Sequence, residues 1–250
     1  MKKLFLIGCL TLTAACQSAT STLLAESTPI AATQTPPAPA TATVTRSATP
    51  APTRSATPTP VPLFFTEEFN TDMGAWASFQ TGGAGSPTVN LENDSLLIDF
   101  SSPETWYYMI HNAHEYSNVF VSAKFSGTSS GSIGVICDYS ESNGWYEFNL
   151  ASTGTYNVLF AQWLGDGIAQ YTPIASNSSE YLQPGNLSYE IGLTCQDEFL
   201  LLHINGKLFR KLDVTRYGLS KGKIGINASS FEETPMIATF DWVKVNEPSQ

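Results

Sequence analysis

The chain has 250 residues, 12 basic against 22 acidic side chains and a formal net charge of −10, with 42% hydrophobic and 12% aromatic residues. That balance leaves no basic surface to neutralise phosphates, so nucleic acid is excluded as an expected partner. Only four cysteines and three histidines are present, too few for a disulfide-dense mini-domain, while the length allows one sizeable β domain besides its leader.

Residues 1–15 read as an export signal: Lys2 and Lys3 precede the apolar run Leu4–Leu12, which is too short to span a bilayer. Leu12-Thr13-Ala14-Ala15-Cys16 resembles the lipobox of bacterial lipoproteins, with Thr13 in a position where leucine is usual. The resemblance implies acylation of Cys16, anchoring to the lipid bilayer of a bacterial cell envelope and a mature chain that starts at that residue. The alternative is an ordinary secretory signal in which Cys16 has no role. Residues 16–62 are Thr, Ala, Pro and Ser with almost no charged or aromatic side chains, and Arg46-Ser-Ala-Thr-Pro recurs at Arg54. Such a composition cannot bury a core and predicts a disordered tether, extended by its prolines to at most on the order of 140 Å.

Residues 63–250 form the expected folded domain. Setting aside Lys2, Lys3, Arg46, Arg54 and Glu26 leaves 8 basic against 21 acidic residues in it, a charge that favours solubility and offers carboxylates to divalent cations. No stretch has helical period. Thirteen short β-rich runs are separated by Gly, Ser, Asn and Pro: 64–69, 88–91, 95–100, 105–110, 118–125, 132–139, 144–150, 155–163, 187–195, 198–204, 207–212, 222–228 and 237–245. The fold class this predicts is all-β, a two-sheet sandwich or jelly roll, monomeric. Leu96, Ile98 and Phe100 face inward, as do Val119, Val121, Ala123 and Phe125. Phe240 and Trp242 share one parity while Val243 and Val245 share the other, which predicts a β-bulge near Asp241. Asn205-Gly206 between apolar runs predicts a two-residue hairpin turn, although parity leaves both faces of that hairpin mixed.

Cys137 and Cys195 fall on the inward parity of their runs, with Ile133, Val135 and Tyr139 around the first and Tyr189, Ile191 and Leu193 around the second. In an exported protein such a pair is expected to oxidise; a Cα separation beyond about 7 Å would instead leave two free core thiols.

Several segments in this order carry a wider resemblance: Phe65-Thr-Glu-Glu-Phe69, Gly134-Val-Ile-Cys137-Asp-Tyr, Trp145-Tyr-Glu-Phe148-Asn-Leu, Gly192-Leu-Thr-Cys195, Leu202-His-Ile-Asn-Gly206-Lys and Thr239-Phe-Asp-Trp-Val-Lys-Val245. Together they resemble the concanavalin A-like, laminin-G-like jelly-roll domains, including the modules labelled 3-keto-disaccharide hydrolase found on tethers of bacterial lipoproteins. The resemblance implies the jelly roll and a structural calcium where first and last strands meet, at Glu67, Glu68 and Asp241. It leaves function open, because that superfamily mixes sugar binders, glycosidases and structural modules.

Catalytic patterns are absent from the sequence. The E-x-D-x-x-E strand of laminarinase-type relatives does not occur, since Glu92-Asn-Asp94 continues Ser-Leu-Leu, and no G-x-S-x-G elbow is found. His111 and His114 lack a third zinc ligand and are expected on a surface loop. Binding is the stronger class, because sugar rings stack on aromatics while amides and carboxylates take hydroxyls. Trp145, Glu147 and Asn149 share the face opposite Tyr146, Phe148 and Leu150; with Trp106, Tyr107 and Trp163 they are the expected contacts for a polysaccharide or surface-protein partner. The alternatives are a glycosidase-like enzyme of the 3-keto-disaccharide type and a purely structural envelope module.

Overall fold

A computed structural model describes residues 60–248, apart from 129 and 166. The expected signal sequence, the expected lipidation site Cys16 and nearly all of the expected tether lie outside the described residues. Fifteen strands follow in order: β1 Phe65–Glu67, β2 Trp76–Gly82, β3 Thr88–Leu91, β4 Leu96–Phe100, β5 Thr105–His111, β6 Asn118–Gly127, β7 Gly131–Ser140, β8 Gly144–Ala151, β9 Thr155–Gly165, β10 Ile168–Ser178, β11 Tyr189–Gln196, β12 Phe199–Ile204, β13 Lys207–Asp213, β14 Lys223–Ser230 and β15 Met236–Asn246.

They build two antiparallel sheets. One runs β13-β12-β11-β6-β15-β4-β3, with β1 also on β15; the other runs β10-β9-β8-β7-β14-β5-β2. The expected inward residues of β4 and β6 meet Tyr146, Phe148 and Leu150 of β8 in one apolar layer between the sheets. Thirteen strands stand where alternation places them, and two more, β2 and β10, are the outermost strands of the seven-stranded sheet. Neither carries a clean alternating signal. Trp76-Ala-Ser-Phe-Gln-Thr-Gly is mostly small and polar, and β10 contains Pro173, which lacks an N–H and belongs on a sheet edge.

The bulge in β15 is present: its register on β6 shifts between Phe240 and Trp242, which lets Phe240, Val243 and Val245 all reach the core. The same break divides the other side of β15, where Met236–Phe240 pairs with β4 and Val243–Val245 with β1. At the β12–β13 hairpin Asn205 and Gly206 have φ of 51° and 73°, both in the left-handed region that a type I′ turn demands. A bulge two residues further on settles the mixed faces: Leu200, Leu202 and Ile204 are buried, Leu208 turns out to water, and Phe209 is rotated onto the core.

Cys137 of β7 and Cys195 of β11 form a disulfide with Cα atoms 6.4 Å apart, tying one sheet to the other across the core. A loop of 58 residues closed in this way stabilises the fold by roughly 4 kcal/mol in the chain-entropy view.

Candidate binding pocket

The outer face of the seven-stranded sheet is concave and its curl is strong. Tyr171 on β10 reaches across to β2 and β5, where its hydroxyl lies 2.9 Å from Thr81 Oγ1 and 2.9 Å from the Tyr108 hydroxyl. The two outermost strands thus touch through side chains over the middle of their own sheet. This bridge divides the concavity into two halves.

One half is filled. Trp145 has no exposed surface, lying within 5.2 to 5.9 Å, centroid to centroid, of Trp163, Tyr139, Phe79 and Tyr108. Tyr139 and Ile136 complete an apolar cluster separate from the inter-sheet core. Parity correctly turns Trp145 away from that core, but it does not reach water, because Phe79 of β2 and Tyr171 of β10 roof it. Trp163 is half-buried against the same cluster.

The other half is an open cavity of about 630 Å³. Its floor is a row of side chains on adjacent strands. Asn157 of β9 pairs with Asn149 of β8, Asn149 with Gly134 of β7, and Gly134 with Asn227 of β14. Glu147, two residues before Asn149, is 1% exposed and lies at the back of this row. It accepts three N–H donors: Trp145 Nε1 at 2.6 Å on Oε1, and Asn149 Nδ2 at 3.1 Å and Asn227 Nδ2 at 3.0 Å on Oε2. Asn149 Nδ2 also reaches Asn157 Oδ1 at 3.0 Å. Burial pushes the Glu147 carboxyl above its ordinary pKa; the donors on Asn149, Trp145, Tyr108 and Asn227 pull the other way by favouring the charged form. Burial likewise raises the hydroxyls of Tyr108 and Tyr171, helped by the nearby Glu147 charge.

Two acceptors on this floor have no partner: Asn149 Oδ1 and Asn227 Oδ1, on side chains 4% and 5% exposed. Both lean over Gly134, where a Cβ would stand 1.9 Å from the first and 2.4 Å from the second. Only glycine leaves room for this pair. Trp106, 38% exposed, stands on the rim with Ile168, and Leu159 lines the wall. The arrangement is an apolar-walled, aromatic-rimmed pocket with hydrogen-bonding groups gathered at its base, the usual composition of a small-ligand site.

Of the expected contacts, the fold therefore gathers Trp106, Glu147 and Asn149 at the pocket and puts Trp145 and Trp163 in the filled half. Tyr107 points to the other side of β5 and packs against the inter-sheet core. Gly134, Asn227, Thr81 and Tyr171 complete the site without having been singled out. Asn227 does sit on the polar parity of its run, but only the pairing of β7 with both β8 and β14 brings it to Asn149.

The carboxylates of Glu67, Glu68 and Asp241, the expected calcium ligands, do not gather within 4.8 Å of one another. Asp241, re-aimed by the bulge, pairs with Lys124 at 3.0 Å, and Glu67 Oε1 accepts the Phe69 N–H at 3.0 Å. Among the described residues, three potential donors come within 4.8 Å of one another only at Cys137, Asp138 and Cys195, where both sulfurs are consumed by the disulfide. His111, expected on a surface loop, is instead buried at the end of β5 between Phe65 and Trp76, and burial lowers its pKa to about 4. Its neighbour His114 is half-buried, with Nε2 2.8 Å from the Val61 carbonyl.

Neither a family model nor a curated protein matches the sequence. Solved structures do match in shape. A Bacillus licheniformis β-glucanase superposes with a TM-score of 0.52 at 14% identity, over 74% of this chain and 98% of its own. A galectin-like protein of unknown function from Bacillus subtilis gives 0.54 at 14% identity, over 73% and 94%. The fold is the concanavalin A-like jelly roll. The carbohydrate recognition domain of Emp46p in its potassium-bound form matches the same jelly roll with a TM-score of 0.51 at 12% identity, over 74% and 96%. At such identities the likeness establishes the architecture, and the chemistry of this jelly roll rests on its own pocket.

Proposed function

We propose that this concanavalin A-like domain binds a saccharide, without turning it over, in the open half of its concave face. The observation that carries the reading is the buried pair of unpartnered carbonyl oxygens on Asn149 and Asn227 at the base of a pocket rimmed by Trp106. A buried acceptor left unpaired costs on the order of 1–3 kcal/mol, so a ligand that supplies donors recovers it on binding. An exposed indole at the mouth offers the flat apolar surface on which a sugar ring stacks. The matched jelly rolls include a β-glucanase and a carbohydrate recognition domain, which supports this ligand class. The proposal includes acylation of Cys16 and the Thr/Pro-rich segment as spacer, presenting the domain outside the cell.

A glycan array followed by calorimetry with soluble oligosaccharides tests it. Binding should fall about tenfold or more in Asn227→Ala and Trp106→Ala, in line with the loss of one or two good contacts. Absence of binding to any glycan, or affinity indifferent to both substitutions, overturns the proposal.

One observation favours a glycosidase-like alternative: Glu147 is a buried carboxyl with a raised pKa, as a general acid requires. Two features weigh against it. Both Glu147 oxygens are taken by N–H donors, and no second carboxylate lines the pocket among the described residues, whereas two-carboxylate hydrolysis needs a partner roughly 5–10 Å away. Release of reducing sugar by the wild-type protein, abolished in Glu147→Gln, would favour the enzyme.

A further inference from the structure

We infer that Glu147 is a positioning residue that sets the hydrogen-bond polarity of the pocket: it holds the Asn149 and Asn227 carboxamides with their N–H groups inward and their oxygens toward the ligand. The site is thereby built for a ligand edge that donates, such as sugar hydroxyls or the ammonium of an amino sugar, and against one that only accepts, such as the carboxylate of a uronic acid. This inference rests on the saccharide reading for its ligand class, while the orientation of the amides stands on the geometry alone.

An asparagine side chain is nearly symmetric in shape and can present either its oxygen or its NH2 group. The choice here is dictated from behind. A carboxylate only accepts, and Glu147 Oε2 is 3.1 Å from one amide and 3.0 Å from the other. Turning either amide round would set oxygen against oxygen at that distance. Trp145 closes the remaining freedom, since its indole Nε1, 2.6 Å from Oε1, is a donor with no acceptor form. With one N–H of each amide committed to Glu147, the two Oδ1 atoms turn the other way, over Gly134 at the floor of the cavity. Their spacing follows from the glycine beneath them: both lie close to the single point where a Gly134 Cβ would stand, at 1.9 and 2.4 Å, so they are at most the sum of these, 4.3 Å, apart. Acceptors that close are met by one group carrying two protons or by two neighbouring hydroxyls. A carboxylate placed there would face two oxygens with a third negative group behind them.

The same geometry predicts what one isosteric change does. In Glu147→Gln the amide oxygen must take the Oε1 position, because an NH2 group there would confront the Trp145 N–H. The glutamine NH2 then occupies the Oε2 position, and its two protons suit two acceptors. Asn149 and Asn227 satisfy it by turning over, with half-buried Asn157 free to turn with Asn149. Every inner group remains paired, yet the pocket now shows N–H donors where it showed oxygens. The expected result is an inversion of preference at almost constant shape.

The experiment compares wild type and Glu147→Gln by calorimetry against three probes: a neutral gluco-oligosaccharide, a glucosamine oligosaccharide and a glucuronate oligosaccharide. The ratio of glucosamine to glucuronate affinity should drop by a factor of about ten or more in the variant, since donor-for-acceptor mismatches in a built polar site discriminate strongly. Neutral probe affinity should change by less than about threefold, because hydroxyls both donate and accept. An unchanged ratio, or equal loss for all three probes in a folded variant, overturns the inference. A ligand-free measurement separates it from the saccharide reading. In wild type the Asn149 and Asn227 side-chain amide protons, followed by 15N NMR, should be protected from solvent exchange; rapid exchange there overturns the inference even if sugars bind. Should Glu147→Gln fail to fold, this wild-type measurement decides alone. If no probe binds either protein while the amides are protected, the ligand class fails and the positioning role of Glu147 stands.

Discussion

The two halves of the concave face are made by the same strands, yet one is packed like a core and the other is hollow. In the filled half Trp145, Tyr139, Phe79 and Trp163 cover each other with rings; in the open half the corresponding positions carry Asn149, Gly134, Asn227 and Ser132. Glu147 belongs to both, since Trp145 donates to one of its oxygens and the two asparagines to the other. The contrast teaches that the rigid half gives the pocket its fixed background. An aromatic wedge immobilises the carboxylate, and the carboxylate immobilises the amides.

Four perturbations would break or sharpen that contrast. The largest is Trp145→Ala, which should remove roughly 3–5 kcal/mol of unfolding free energy in urea titration by opening a large void in the filled half. A loss below about 1 kcal/mol would mean that the half is loosely packed and the contrast false.

Beneath the filled half, Asp138 is 5% exposed with Oδ1 unpartnered, and burial pushes its pKa from 3.8 to about 7. The native state therefore holds a proton that the unfolded chain releases near 3.8, so Asp138 makes stability fall as pH rises from about 4 to about 7 and level off above. His111, lowered to about 4, acts in the opposite sense below its ordinary 6.5. The difference between wild type and Asp138→Asn isolates the carboxyl: the variant should be more stable by about 2–4 kcal/mol at pH 8, and the advantage should vanish near pH 4. A pH-independent difference would show that Asp138, like Glu147, had found partners.

Tyr171→Phe deletes the hydroxyl between Thr81 and Tyr108 and should cost about 1 kcal/mol. Its sharper signature is optical. With the bridge gone the halves merge, and tryptophan fluorescence should become more accessible to acrylamide; unchanged quenching would show that ring packing alone divides the face. The smallest effect on stability belongs to Trp106→Ala, within about 0.5 kcal/mol because the ring is at the rim. Any larger change would mean that the open half also depends on its mouth for structure.

Much of this architecture is legible in the sequence wherever a strand buries one face only. The alternation of β4, β6, β11 and β14, the shifted parity of Asp241–Trp242 and the inward cysteines of β7 and β11 all follow from period two. The strands that roof the site escape that logic. β2 and β10 cover the site with Phe79 and Tyr171, both half-buried, through curl rather than through alternation, so their sequences look like loops. For the same reason the face of Trp145 is readable but its burial is not. Whether an outward side chain meets water depends on two edge strands that lie far away in the chain. The asparagine pair is legible only in part. Asn149 stands next to an acid on its own strand, whereas Asn227 joins it through a register that no local pattern encodes.

Pro173 has a further consequence. β10 is an eleven-residue strand at a sheet edge, long enough to recruit a second chain by main-chain pairing. The missing N–H of Pro173 and the register shift between it and Ala175 break that edge into two short lengths, neither offering a continuous ladder. Copies crowded side by side are thus kept from zipping into fibrils along the one long margin that flanks the pocket, and the device that guards against aggregation sits on the same strand that supplies Tyr171.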